Sequence, residues 1–104
     1  MRAEEASRVF AAMGQPNRLA ILQCLAPHSH DEGAGLPAGQ IAGRLNLAPA
    51  TLSFHLKEMA HAGLVLPRRE GRRIFYRVNI PRMLEALEFA VGNICEAQAA
   101  AQPA

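Results

Sequence analysis

A mainly helical domain carrying one β-hairpin is the fold class this sequence predicts, and three observations predict it. Apolar residues recur at helical spacing in five separate stretches. A proline opens, or a glycine or asparagine closes, each of those stretches. Residues 64–78 alone depart from that rhythm, with two short apolar runs on either side of a polar turn centred on Gly71. The 104 residues are half apolar and 19% charged, which suits one soluble domain of ordinary size and excludes a disordered chain.

The first helix covers 4–13, with Val9, Phe10 and Met13 on one side and Gly14 ending it. Pro16 sits where a first helical turn tolerates it, and Leu19, Ile21, Leu22 and Leu25 follow as a largely buried second helix. Residues 27–35, Pro-His-Ser-His-Asp-Glu-Gly-Ala-Gly, form a loop by composition. Pro37 opens a short third helix with Ile41, Ala42 and Leu45, closed by Asn46. After the tight connection Leu47-Ala48, Pro49 starts a fourth helix that runs to about Ala62 and stops at Gly63. Residues 64–66 and 74–78 are strands about a polar turn over 68–73. Pro81 begins the last helix, striped with Met83, Leu84, Leu87, Val91 and Ile94. One domain over 1–98 and a frayed small-residue tail over 99–104 complete the division.

Charge is distributed unevenly along this chain. The net +2 resolves into −1 over residues 1–39, +6 over 40–82 and −3 over 83–104. Ten of the eleven cations are arginine, the residue suited to bidentate phosphate contacts. The start, Met1-Arg2-Ala3-Glu4-Glu5, lacks an apolar leader, and no apolar run approaches the roughly 20 residues of a membrane span. A cytoplasmic location is expected.

A short helix, a tight turn and a second helix describe a helix-turn-helix, whose second helix enters the DNA major groove. With Leu52 as the inward reference at about 100° per residue, Leu56 and Met59 fall within about 40° of it. Ala50, Phe54, Lys57 and His61 then point outward, with Thr51, Ser53 and Glu58 on the flanks. Hydroxyls there suit base edges, and an exposed Phe54 ring suits a thymine methyl. The expected groove residues are Pro49, Ala50, Thr51, Ser53, Phe54, His55 and Lys57, with His55 either on a phosphate or packed between helices. Arg68, Arg69, Arg72 and Arg73 would sit on the hairpin turn and hold phosphates or a minor groove. The architecture is thus a winged helix-turn-helix, mainly α with a β-hairpin wing.

Gly14-Gln15-Pro16-Asn17-Arg18-Leu19-Ala20-Ile21-Leu22, Ala50-Thr51-Leu52-Ser53-Phe54-His55-Leu56-Lys57, Ala62-Gly63-Leu64-Val65, Arg69-Glu70-Gly71-Arg72 and Phe75-Tyr76 together resemble the ArsR/SmtB winged-helix repressors. The likeness runs from about Val9 to Cys95. It implies a homodimer joined through the first and last helices, a near-palindromic operator, and release of DNA when an inducer binds. The alternative is a protein-interaction module that uses the same scaffold without an operator, and the arginines of the wing argue against it.

The resemblance also frames the inducer. Arsenite-sensing members often carry Cys-x-Cys at the third helix, where this chain has Gly35-Leu36-Pro37-Ala38-Gly39. Zinc-sensing members place Asp, His and Glu along the last helix, which here offers only Glu85 and Glu88 before Cys95. Asn93-Ile94-Cys95-Glu96 resembles the vicinal-cysteine ending of other arsenical sensors with one thiol missing, and Cys24 with Cys95 resembles the pair of persulfide sensors. Trivalent arsenic or antimony, or a persulfide or oxidant, are the inducers this implies. For Cys24 the plainer role is a small core residue between Leu22 and Leu25. His28-Ser29-His30-Asp31-Glu32 holds four possible metal ligands but reads as a solvated loop. No nucleophile–base set, carboxylate pair or glycine-rich phosphate loop has supporting context, so no enzyme activity and no obligatory cofactor are expected.

Overall fold

The computed structural model describes residues 1–101. Five α-helices, α1 (Ala3–Met13), α2 (Pro16–Leu25), α3 (Ala38–Leu45), α4 (Pro49–His61) and α5 (Ile80–Ala101), surround a three-stranded antiparallel sheet. Its strands are β1 (Leu36–Pro37), β2 (Val65–Glu70) and β3 (Arg73–Val78), in the order β1-β3-β2.

Local signals place most boundaries where the sequence has them. The Gln15 side chain accepts a hydrogen bond from the Arg18 N–H at 3.1 Å, capping α2 just before Pro16. Asn46 ends α3 in the left-handed region at φ 53°, which turns the chain sharply towards α4. The apolar sides of α1, α2, α3 and α4 meet the base of the sheet in one core. Val9, Ile21, Leu25, Ile41, Leu56 and Met59 are buried there, with Val65 and Val78 beneath them. Burial of such side chains at about 1.5–3 kcal/mol each is what holds these four helices against the hairpin.

Four features differ from expectation. The end of the 27–35 loop is a strand: Leu36 pairs with Tyr76 and Pro37 with Phe75, so α3 starts at Ala38 and Pro37 caps it. Gly35 makes that approach possible, since a Cβ there would stand 2.9 Å from the Tyr76 carbonyl oxygen. The same loop opens with a 3-10 turn over Ala26–His28. Its end is pinned by Ser29, whose hydroxyl donates to the Leu25 carbonyl at 2.7 Å and accepts from the Val78 N–H at 2.9 Å.

The hairpin is also longer than its apolar residues suggest. Strand β2 runs through Pro67, Arg68 and Arg69 to Glu70, which pairs with Arg73 across the two-residue turn Gly71-Arg72. Pro67 is tolerated because β2 is an edge strand, and the ladder needs no second donor row there. At the other end, α5 continues to Ala101, past the expected tail boundary at 98, because Ala97-Gln98-Ala99-Ala100-Ala101 are strong helix formers. Residues 102–104 of the expected tail lie outside the described residues.

The start of α5 is anchored and its end is not. Arg82 forms an ion pair with Glu5 of α1 at 3.3 Å, and the Asn79 amide donates to the Gly63 carbonyl at 2.9 Å. Ala86 is buried, whereas Leu84, Leu87, Val91 and Ile94 are 41–68% exposed. The chain is consequently elongated, 61 Å by 25 Å by 22 Å.

Candidate nucleic-acid interface

The fourth helix divides as its periodicity predicts. Leu52, Leu56 and Met59 are buried in the core, while Ala50, Thr51, Ser53, Phe54, Lys57 and His61 are exposed. Phe54 keeps 56% of its surface accessible. That ring stands in water on a helix face otherwise made of Ala50, two hydroxyls, Lys57 and His61. Pro49 opens this helix and is exposed with Ala50, so the N-terminal turn projects from the body of the domain.

His55 does not belong to that face. It is buried, and its Nδ1 accepts a hydrogen bond from the Arg18 Nε–H at 3.1 Å. Burial, with the Arg18 charge beside it, holds the imidazole below its usual range and favours the neutral ring, whose Nδ1 is free to accept from Arg18. Of the two roles open to it, helix packing is the one its placement fits. A residue one position on from Phe54 is rotated about 100° towards the core, which is enough to take it out of the exposed face. The Arg18 guanidinium carbon also lies 5.9 Å from the Phe54 ring centroid, and the Phe54 and His55 rings meet edge to face at 5.9 Å. Arg18 therefore orients the two aromatic residues at the middle of α4. No spacing in the sequence points to that pairing, because 37 residues separate Arg18 from His55.

The four arginines of the wing divide in a similar way. Expected together on one open turn, they lie on two paired strands with only Arg72 in the turn. Arg68 donates to the carbonyls of Gly33 at 3.0 Å and Ala34 at 3.4 Å, pairs with Glu70, and covers the Phe75 ring at 4.9 Å. Its charge is therefore spent on bracing the wing against the 27–35 loop. Arg73 lies over the same ring at 5.3 Å and stays exposed. Arg69 and Arg72 are exposed and have no ion-pair partner among the described residues. Three guanidinium groups thus remain available at the tip, backed by a stacked Phe75 whose role the sequence alone does not reveal.

The remaining candidates are scattered. Cys24 is half-buried against the core and Cys95 is exposed on α5, and both are free thiols. His28 shares a 3.3 Å hydrogen bond with Arg44, and His30, Asp31 and Glu32 are exposed around it. Among the described residues no three His, Cys, Asp or Glu side chains come together to hold a metal ion. No described helix is long and apolar enough to cross a membrane.

A family model for a helix-turn-helix domain matches residues 13–68, which span α2, α3, α4 and the start of the wing. An uncharacterized HTH-type transcriptional regulator of Methanocaldococcus jannaschii is 34% identical over 85 residues, covering 82% of this chain and 90% of that one. The transcriptional repressor SdpR of Bacillus subtilis is 27% identical over 88 residues, covering 85% and 91%. Among solved structures, an ArsR-like transcriptional regulator from Rhodococcus superposes with a TM-score of 0.75 at 27% identity, covering 94% of this chain and 89% of that one. A homodimeric winged helix-turn-helix DNA-binding domain from Mycobacterium bovis, a possible ArsR-family regulator, superposes at 0.66 with 28% identity, covering 92% and 82%.

Proposed function

Since the chain belongs to the ArsR/SmtB family of winged helix-turn-helix transcriptional regulators, which are not enzymes, we propose that it is a repressor that binds a near-palindromic operator as a homodimer. The observation that carries this reading is the divided fourth helix, whose inner face is locked in the core while Thr51, Ser53, Phe54 and Lys57 stand exposed beside a wing with three available arginines. In the bound complex α4 lies in the major groove. Ser53 and Thr51 meet base edges, Phe54 meets a thymine methyl, and Arg69, Arg72 and Arg73 hold the phosphate backbone.

The dimer uses α5. Leu84, Leu87, Val91 and Ile94 form an exposed apolar stripe, and a second copy across a two-fold axis buries it. That symmetry sets half-sites one or two helical turns apart. Cys95 lies next to Ile94 on the exposed part of α5, so each dimer presents two accessible thiols. A thiol-reactive signal, either a trivalent arsenical or antimonial or a persulfide or oxidant, acts there and releases the DNA. Cys24, half-buried on the core, is the less accessible of the two.

Fluorescence anisotropy with promoter DNA from the chain's own operon, at stated salt, tests the reading. The expected result is binding at least about a thousandfold tighter than to random duplex, released by arsenite or polysulfide in the native chain but not in Cys95→Ser. Equal affinity for both duplexes would leave a protein-interaction module in its place.

A further inference from the structure

A cavity of about 280 Å³ lies between α1, α2 and α4, bordering the exposed face of α4 at His61 and with no wing residue in its lining. Its polar wall consists of Arg8, Arg18, Glu58 and His61. Ala11, Ala12 and Ala62 make up the rest. Neither arginine is ion-paired with a carboxylate among the described residues, and Glu58 has no cationic partner there. Arg18 commits only its Nε–H, to His55, so its terminal amino groups are left without a hydrogen-bond acceptor.

Two guanidinium groups on one small space are the donor set for a single carboxylate. The carboxylate of Glu58 in the same wall opposes a multiply charged anion and offers an acceptor to an ammonium group. Small alanine side chains leave room for a short substituent. Just below the roughly 300–1,000 Å³ typical of ligand pockets, the cavity takes only a small molecule. We propose that it is a binding site for a small zwitterion of the α-amino-acid class, with its carboxylate on Arg8 and Arg18 and its ammonium on Glu58.

Occupancy would reach the groove through Arg18, because the guanidinium that takes the carboxylate also orients His55 and lies beside Phe54. This consequence rests on the groove role of α4, whereas the binding itself does not.

Amide-resolved NMR of the full chain, titrated with glycine, alanine, serine and glutamate, reads the site directly. Acetate, methylammonium and inorganic phosphate serve as single-charge and plain-anion probes. At least one amino acid should produce saturable shifts at Ala11, Ala12 and Ala62, with affinity about tenfold or more above each of those three probes. Arg8→Ala, at an exposed position, should weaken that binding about tenfold with the melting temperature unchanged, and Arg18→Lys should weaken it too. Absence of saturable shifts overturns the proposal, as does phosphate binding as tightly as the amino acids or Arg8→Ala binding as tightly as the native chain. An operator affinity that the bound amino acid leaves unchanged overturns the link through Arg18. A chain that binds the amino acid yet prefers no DNA supports the site and refutes the groove role instead.

Discussion

Replacing Arg68 by alanine separates bracing of the wing from contact with DNA. The guanidinium makes charge-assisted bonds to two loop carbonyls and covers the Phe75 ring. Hydrogen bonds to a charged group contribute about 1.5–3 kcal/mol when buried, and a cation over an aromatic face about 0.5–1 kcal/mol when exposed. The Arg68 side chain is 31% exposed, so solvent screening reduces these to a net of about 1–2 kcal/mol. For a domain of this length, at about 4–8 °C per kcal/mol, that is a fall in melting temperature of about 4–16 °C. Thermal melts at fixed protein concentration should record that loss, with operator affinity reduced because the wing is less well held. The slope of log affinity against log salt should stay at the native value, since no phosphate contact is removed. Arg72→Ala should do the opposite, leaving the melting temperature unchanged and lowering the slope by about 0.9 for each phosphate no longer neutralised. An Arg68→Ala chain that melts normally and loses about 0.9 of slope would refute the brace and return Arg68 to the DNA face.

Three further outcomes follow from particular side chains. Ser53→Ala should change stability by less than about 0.5 kcal/mol because Ser53 is exposed, and Phe54→Ala should cost about 1 kcal/mol through its contacts with His55 and Arg18; both should lower affinity for operator more than for random duplex, and parallel losses on both duplexes would remove them from base reading. His55 resists protonation in the folded chain, so the unfolded chain binds the extra proton first; stability is full above about pH 6.5 and should decline as pH falls below it. Urea titrations between pH 5 and 8 should show that decline in the native chain and a weaker one in His55→Gln, and equal declines would place its origin elsewhere. Leu87→Glu with Val91→Glu puts charge on the exposed α5 stripe without touching the core, so sedimentation should show a dimer become a folded monomer. A native chain already monomeric at tens of micromolar would exclude that interface.

Most of the fold is legible in the sequence because its signals are local. Pro16 and Pro49 at first turns, Asn46 and Gly63 at helix ends, and the 3.6-residue spacing of Leu52, Leu56 and Met59 act within a few residues of themselves. The exposed face of α4 is legible for the same reason. What sequence reading misses is non-local. Two residues, Leu36 and Pro37, are too short to show alternation, and they become a strand only because Tyr76 and Phe75 lie opposite. Pro67 and the arginines after it look like a turn, and pairing to β3 makes them an edge strand. His55 carries no mark that distinguishes a buried histidine from an exposed one until Arg18 is brought to it from 37 residues away.

The same distinction governs charge. Counting cations along residues 40–82 gives a strongly positive centre, but a formal charge contributes to a DNA footprint only where its field faces the DNA. Arg82 is paired with Glu5, Arg68 is held by the loop and Glu70, and Arg44 is engaged with His28. Lys57 on the helix and Arg69, Arg72 and Arg73 on the wing are the residues that combine exposure with the predicted face. At about 0.9 per neutralised phosphate, those four limit the salt slope contributed by helix and wing to between 3 and 4 per protomer as an order-of-magnitude figure. A steeper measured slope would require phosphate contacts from another surface. Arg18 is then the first candidate, because its guanidinium already lies beside the exposed Phe54 ring of α4.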